Sequence, residues 1–196
     1  MKLHSKKIAK SMADDLRFIK GWIKEPKTVG SIKPTGRAAA KLMVQQIPEG
    51  DLPILELGPG TGVITAMMLE MGYDPKRIVS VEFDPEFCTH LRKEFPEVNF
   101  IEGDAFNLDE TLKDLKGQKF GAILSGIPLL NFAKDERQKL VSGALEWVAN
   151  EGPFVQLCYG PKAPVPEKEN VFKARPTKWV LANIPPARFW IYESVK

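Results

Sequence analysis

The chain has 196 residues, 43% of them hydrophobic and 27% charged, a length for one ordinary domain and a composition able to bury a core. No run approaches the roughly eighteen apolar residues of a membrane span, and no short apolar stretch with a small-residue cleavage site opens the sequence. Neither an integral membrane protein nor a secreted one is therefore expected, and two cysteines, Cys88 and Cys158, exclude a disulfide framework or a thiolate zinc cluster.

The net charge of +3 is unevenly spread: residues 1–37 hold ten Lys/Arg against three Asp/Glu, whereas residues 38–196 hold 18 against 22. A basic head on a mildly acidic body asks for an anionic partner at one end. From His4 to Glu25 there is no proline, and Pro26 follows, which predicts a helix. Ile8, Met12, Leu16, Ile19, Trp22 and Ile23 recur almost entirely at spacings of three or four, and Phe18 widens the stripe they form. At roughly 100° per residue they share one face, with Lys6, Lys10, Arg17, Lys20 and Lys24 opposite. Three readings fit this pattern. The helix docks on the domain with its lysines solvated, it lies in a membrane interface, or it is a nucleic-acid arm. Phosphate tracking does not need so continuous an apolar stripe, whereas each basic residue near an anionic leaflet contributes about 1 kcal/mol. On the membrane reading, residues 1–26 form an amphipathic membrane-binding helix and residues 27–196 the domain.

After a linker at Lys27–Pro34, a helix is predicted over Arg37–Gln46, ending at Ile47-Pro48-Glu49-Gly50. Strands are predicted at Pro53–Leu57, Ile78–Glu82, Val98–Glu102, Phe120–Ser125 and Phe154–Tyr159. They alternate with helices at Val63–Met71, Glu86–Phe95, Leu108–Leu115 and Asp135–Asn150. This alternation implies an α/β fold with a mainly parallel sheet covered on both faces. Past Pro161 the rhythm changes, and Thr177–Asn183 with Ala187–Tyr192 is expected to close the sheet as an antiparallel C-terminal hairpin.

The first strand ends in Glu56-Leu57-Gly58-Pro59-Gly60-Thr61-Gly62. Glycines at this spacing let the chain turn sharply and let a ligand approach bare backbone before the next helix. A dinucleotide fingerprint would want its third glycine at Val63. Glu82 ends the second strand, twenty residues beyond Gly62, where a carboxylate can accept both hydroxyls of a ribose. The third strand ends in Glu102-Gly103-Asp104-Ala105-Phe106, offering an acceptor for an adenine amino group and two side chains to flank the base. Three strand ends, each with its ligand group, make one crevice at the switch point of an open sheet.

Glu56, Gly58, Gly60 and Gly62, then Glu82, then Gly103-Asp104-Ala105 resemble the class I S-adenosylmethionine-dependent methyltransferases over about residues 52–160. The resemblance implies a Rossmann-like fold and S-adenosyl-L-methionine as cofactor, with S-adenosyl-L-homocysteine as product. The glycine loop, with Pro59 and Thr61, would hold the methionine moiety. Glu82 would meet the ribose, with Phe83 also at the cofactor, Asp104, Ala105 and Phe106 would meet the adenine, and Ser125 and Gly126 would line the methyl-transfer channel.

The fourth strand ends in Ser125-Gly126-Ile127-Pro128-Leu129-Leu130. Enzymes that methylate base amines typically place Asn or Asp, Pro and an aromatic here, the amide aligning the amine and the aromatic stacking on a flipped base. Ser125 stands for the amide and Leu129 for the aromatic, so a base substrate loses its platform. No stretch of the sequence reads as the extra C-terminal domain of rRNA adenine dimethylases.

Phe18-Ile19, Gly21-Trp22-Ile23, Pro26, Pro34-Thr35-Gly36-Arg37, Ser125 to Leu130, Tyr159-Gly160-Pro161 and Pro185-Pro186-Ala187-Arg188 together resemble bacterial phospholipid N-methyltransferases of the peripheral type. Leu181-Ala182 departs from the Trp-Arg that often precedes the hairpin asparagine, here Asn183. The resemblance implies conversion of phosphatidylethanolamine to phosphatidylcholine through mono- and dimethyl forms. It also implies cytoplasmic residence, peripheral on the cytoplasmic face of the inner membrane, on a phospholipid bilayer with anionic lipids. No nucleic-acid partner and no metal are expected. Tyr159 is the candidate to orient or deprotonate the amine, with Ser125 beside it, and Arg37 and Arg188 are the candidates for the lipid phosphate. Cys88 and Cys158 are expected in the core. An rRNA adenine dimethylase-like or small-molecule N-methyltransferase is the alternative, and a non-catalytic membrane-binding module a third.

Overall fold

The computed structural model describes residues 35–149, 152–183 and 185–195, so the basic head and its expected helix lie outside the described residues. Helix α1 (Arg37–Val44) precedes β1 (Ile54–Leu57), α2 (Val63–Glu70), β2 (Ile78–Glu82), α3 (Pro85–Glu94) and β3 (Asn99–Glu102). Then come α4 (Leu108–Thr111), β4 (Ala122–Ser125), α5 (Lys134–Glu146), β5 (Phe154–Cys158), β6 (Phe172–Pro176) and β7 (Arg188–Ser194).

These strands form one seven-stranded sheet in the order β3-β2-β1-β4-β5-β7-β6. The first five are parallel, and β7 runs antiparallel to both β5 and β6. The chain leaves β1 toward β2 on one side and reaches β4 on the other, so the loops after β1 and β4 part and open a crevice at the carboxyl edge. Because β1, β2 and β4 are buried along their whole length, they read as near-continuous apolar runs. Leu55, Leu57 and Ile123 face α5 through Leu140, Val141 and Ala144. The opposite face carries Ile54, Ala122 and Leu124 against α1, α2 and α3. Cys88 and Cys158 are free and buried, as expected. Among the described residues no helix is long and apolar enough to cross a membrane.

Two expectations shift. The helix foreseen over Leu108–Leu115 stops at Thr111 and continues as a 3-10 turn at Lys113–Leu115. The hairpin pairs Phe172–Pro176, not Thr177–Asn183, with Arg188–Ser194. Phe172 supplies the buried anchor, 5.6 Å from the Tyr192 ring and edge-on to it. Pro176 is tolerated because β6 is the sheet edge. Residues 177–183 and 185–186 instead form a loop in which Val180 bridges to Ala187.

Tyr192 ties this hairpin to the preceding loop. Its hydroxyl accepts from the Val165 amide and donates to the Val165 carbonyl, both at 3.1 Å. Tyr192→Phe would leave both buried backbone groups unpaired, so a loss of about 2 kcal/mol is expected, read as a lower urea midpoint at unchanged slope.

Candidate cofactor crevice and acceptor site

The glycine loop is built for close approach. Gly58 and Gly62 have φ of +69° and +78°, a region side chains rarely adopt. A Cβ on Gly58 would lie 2.9 Å from Ile127 Cγ1, and one on Gly62 2.8 Å from Leu91 Cδ2 and from Phe95 Cε2. Gly62 is also the residue from which α2 starts. Around Gly60 the space is open, with no described atom within 4 Å of a Cβ placed there. A ligand can therefore lie against backbone between Pro59 and Thr61.

Glu82 ends β2 beneath this loop and is 7% exposed. Its Oε2 accepts from the Gly60 amide at 3.1 Å and its Oε1 from the Asp84 amide at 2.8 Å. Burial pushes its pKa up, and these amides oppose the shift. Each oxygen retains acceptor capacity for a ligand hydroxyl. One rung away, Gly103 N donates to Glu82 O at 2.9 Å. Asp104 Oδ1 accepts from Phe106 N at 2.8 Å. The Thr111 hydroxyl accepts from Asp104 N at 3.1 Å and donates to Asp104 O at 2.9 Å. Gly103 is required here, since a Cβ would meet Thr111 Cγ2 at 2.4 Å. Ala105 is buried, Phe106 packs 4.5 Å from the Phe132 ring, and Phe83 is half exposed.

Glu56 is wholly buried. Its Oε2 takes hydrogen bonds from Thr65 Oγ1 at 2.5 Å and Ser80 Oγ at 3.1 Å. Its Oε1 has no partner among the described residues. Desolvation raises its pKa to about 7, with the two hydroxyls opposing. A buried acceptor with nothing to accept suits a cationic ligand group.

At the end of β4, Ser125 is fully buried and its hydroxyl is unpaired among the described residues. Gly126 lies against the glycine loop, where a Cβ would stand 2.9 Å from Gly58 O. Leu129, in the place of the stacking aromatic, is 1% exposed and belongs to the core, whereas Leu130 is 61% exposed. Tyr159 follows β5 on the α1 side of the sheet. Burial raises the pKa of its phenol, and a side-chain hydrogen bond with Thr35 opposes that shift.

Arg188 lies between two indoles, 5.0 Å from the Trp179 ring and 5.3 Å from that of Trp190, and Nη2 donates to Thr177 O at 2.9 Å. Arg37 is not brought to the crevice. Its guanidinium forks onto Glu70 at 2.8 and 2.6 Å, at the far end of α2 from Gly62, about 12 Å along the helix. Sequence reasoning passed over Thr65, Ser80, Thr111 and Gln156. The available signal was a polar residue inside an apolar strand, as in Ile78-Val79-Ser80-Val81 and Phe154-Val155-Gln156-Leu157.

An open parallel sheet with this glycine loop and two acidic strand ends defines a Rossmann-like α/β enzyme crevice. Residues 54–152 match the family model described as a methyltransferase domain, and the chain belongs to that family. It is 27% identical to the ornithine lipid N-methyltransferase of Singulisphaera acidiphila over 94% of this chain and 98% of that protein. It is 40% identical to the ribosomal RNA small subunit methyltransferase A of Chlorobaculum parvum, but over only 42% of this chain and 28% of that protein. The fold is shared with the TehB-like SAM-dependent methyltransferase of Corynebacterium glutamicum, at 14% identity and a TM-score of 0.58 over 93% of this chain and 99% of that one.

Proposed function

We propose that the chain uses S-adenosylmethionine to methylate the amine of a membrane lipid, phosphatidylethanolamine, by successive transfers through mono- and dimethyl forms to phosphatidylcholine. The observation that carries the lipid reading is the end-to-end sequence similarity to an ornithine lipid N-methyltransferase, against a sequence match to the ribosomal RNA methyltransferase of Chlorobaculum parvum that spans 42% of this chain. That same relative favours a second reading, in which ornithine lipid is the acceptor. The buried Leu129 gives a flipped base no stacking surface, which weighs against RNA.

S-adenosylmethionine is the methyl donor, supplying a methyl group on a sulfonium. The residues present fit it. Glu56 Oε1 is an orphaned buried acceptor for its ammonium, and the glycine loop leaves backbone bare for the methionine moiety. Glu82, with Phe83 alongside, receives the ribose hydroxyls. Asp104, between Gly103 and Ala105-Phe106, receives the adenine amino group. Such fixed positioning can supply much of the rate of an in-line displacement. Tyr159, raised above its usual pKa of 10, is a neutral hydroxyl at physiological pH, so it orients the amine or relays a proton to water. Arg188, held between two tryptophans, is the phosphate donor. Residues 1–26 act as the amphipathic membrane segment and residues 27–196 as the catalytic domain. The enzyme works peripherally on the cytoplasmic face of the inner membrane, drawn to anionic lipids by its basic head.

The test is labelled cofactor with vesicles of phosphatidylethanolamine and anionic lipid, vesicles with ornithine lipid, and ribosomal RNA. Label is expected in the phosphatidylethanolamine vesicles as mono-, di- and trimethyl products, and deletion of residues 1–25 is expected to abolish vesicle sedimentation. Label in RNA alone would overturn the lipid reading, and label in ornithine lipid alone would move the substrate to the second reading.

A further inference from the structure

Four buried polar atoms stand in one row at the carboxyl edge, on the face of the sheet that α5 covers. Ser125 is paired in register with Gln156, and Gln156 with Trp190. Residues opposite one another on neighbouring strands point to the same face, and Arg188, two residues before Trp190, shares that face. Ser125 Oγ, Gln156 Oε1, Trp190 Nε1 and Arg188 Nε are all buried, and none has a hydrogen-bond partner among the described residues. Ser125 and Gln156 are 0% exposed.

The Gln156 amide is not free to turn. Its Nε2 donates to Ile127 O at 2.8 Å and to Leu157 O at 2.9 Å. Flipping it would set its oxygen against two carbonyl oxygens, so Oε1 is fixed as the atom left without a partner among the described residues. Ile127 in turn abuts Gly58, where a Cβ would meet Ile127 Cγ1 at 2.9 Å. The fixed acceptor is thus fastened to the loop that touches the glycine loop. Leaving it unsatisfied costs stability on every folding event, and a polar group so placed is a sign of use.

The row is also sorted by polarity. Ser125 Oγ and Gln156 Oε1, nearest β1, can both accept; Trp190 Nε1 and Arg188 Nε, toward the sheet edge, can only donate. We infer that Gln156, with Ser125, holds the reacting amine by its N–H hydrogens, while Trp190 and Arg188 receive an anionic group of the same molecule. This rests on the aminolipid reading above and supplies what that reading lacked: the amide absent at position 125 is provided by the neighbouring strand. Adjacent strands are about 4.8 Å apart, so one nitrogen can reach both acceptors. Two N–H bonds accepted in this way leave the lone pair of a neutral primary amine as its remaining direction. That lone pair forms the new C–N bond as the C–S bond breaks. The bond's electron pair stays on sulfur, and the ammonium so formed releases one proton to water. Both acceptors disfavour nothing about an ammonium, so they select geometry and not protonation state.

The acceptors count hydrogens, which gives the test. A primary amine has two N–H bonds to offer, a monomethyl amine one, and a dimethyl amine none. Gln156→Met and Ser125→Ala are compared with wild type on phosphatidylethanolamine and on its mono- and dimethyl forms, each in vesicles, with thermal melts to verify folding. Each variant is expected to slow the first transfer about tenfold, the loss of one hydrogen bond, and to leave the third within twofold. Gln156→Asn, which keeps an amide but shortens its reach, is expected to fall between. Equal losses on all three acceptors would mean that Gln156 acts only by bracing the Ile127 loop and would overturn the inference. So would no loss at all, the result expected if ordered water alone satisfies these atoms. A wild-type protein that binds cofactor yet methylates neither these three nor ornithine lipid would instead overturn the aminolipid reading itself, and the inference with it.

Discussion

Glu82→Ala is expected to weaken S-adenosylhomocysteine binding by at least about 100-fold, measured by titration calorimetry. In the proposed complex its carboxylate accepts two ribose hydroxyls, each a hydrogen bond to a charged group contributing about 1.5–3 kcal/mol, which together amount to two to four decades in Kd. The same carboxylate braces the glycine loop through Gly60 N and extends to Asp84 N. Its removal therefore also leaves the loop's amide without its acceptor. Glu82→Gln is expected to be nearly as harmful, since one end of its amide presents N–H to a backbone N–H. An alanine variant that keeps affinity within threefold would remove Glu82 from the cofactor site.

The second large effect is one of pH. Glu56 has its pKa raised to about 7 from an ordinary 4.5. The folded state thus disfavours the ionised form. Glu56 favours folding fully below about pH 4.5, and that contribution, on the order of 3 kcal/mol, is lost as pH rises toward 7. The cofactor-free protein is therefore expected to lose melting temperature across this interval relative to Glu56→Gln. Cofactor binding should run the other way. An ammonium at Oε1 needs the carboxylate ionised, so affinity should tighten up to tenfold per unit as pH approaches 7 and level off above it. Glu56→Gln should bind weakly with no such slope. Parallel pH profiles for wild type and variant would exclude Glu56 from both roles.

The cofactor crevice was legible because its chemistry sits at strand ends. Glycines cannot be mistaken for core, and a Glu closing an apolar run, as Glu82 does, marks a polar site at the strand end. The parallel sheet was legible for a related cause: strands buried on both faces, such as Ile54–Leu57, leave no alternation to confuse them with helices. The hairpin was misplaced by several residues because β6 has only Phe172 deeply buried, with Lys173, Arg175 and Pro176 at an edge that water and proline both tolerate. A half-solvated strand of five residues looks like loop. The row of buried polar groups was hidden for a third reason. Ser125, Gln156 and Trp190 lie 31 and 34 residues apart in the chain and meet only through register, which a single sequence does not display. Arg37 shows the reverse error: a turn of the right composition suggested phosphate, but a carboxylate one helix away had already claimed the guanidinium.

Thr35 and Gly36 are fastened where α1 begins. The Tyr159 side chain bonds Thr35, and the Gly36 amide donates to Asn183 Oδ1 at 2.9 Å, with Asn183 Nδ2 on Pro185 O at 2.7 Å. A Cβ on Gly36 would lie 2.6 Å from that oxygen, so the clasp admits no side chain. The basic segment thus starts from a post beside Tyr159, and nine residues back to Pro26 span at most about 30 Å. If that segment adsorbs to a bilayer, the crevice is on a short tether. The headgroup concentration it experiences is then set by tether length and not by its own affinity. If the methyl acceptor is a lipid, as proposed above, such an enzyme can let go of each partly methylated molecule between transfers and still meet it again, since both partners stay confined to the same plane.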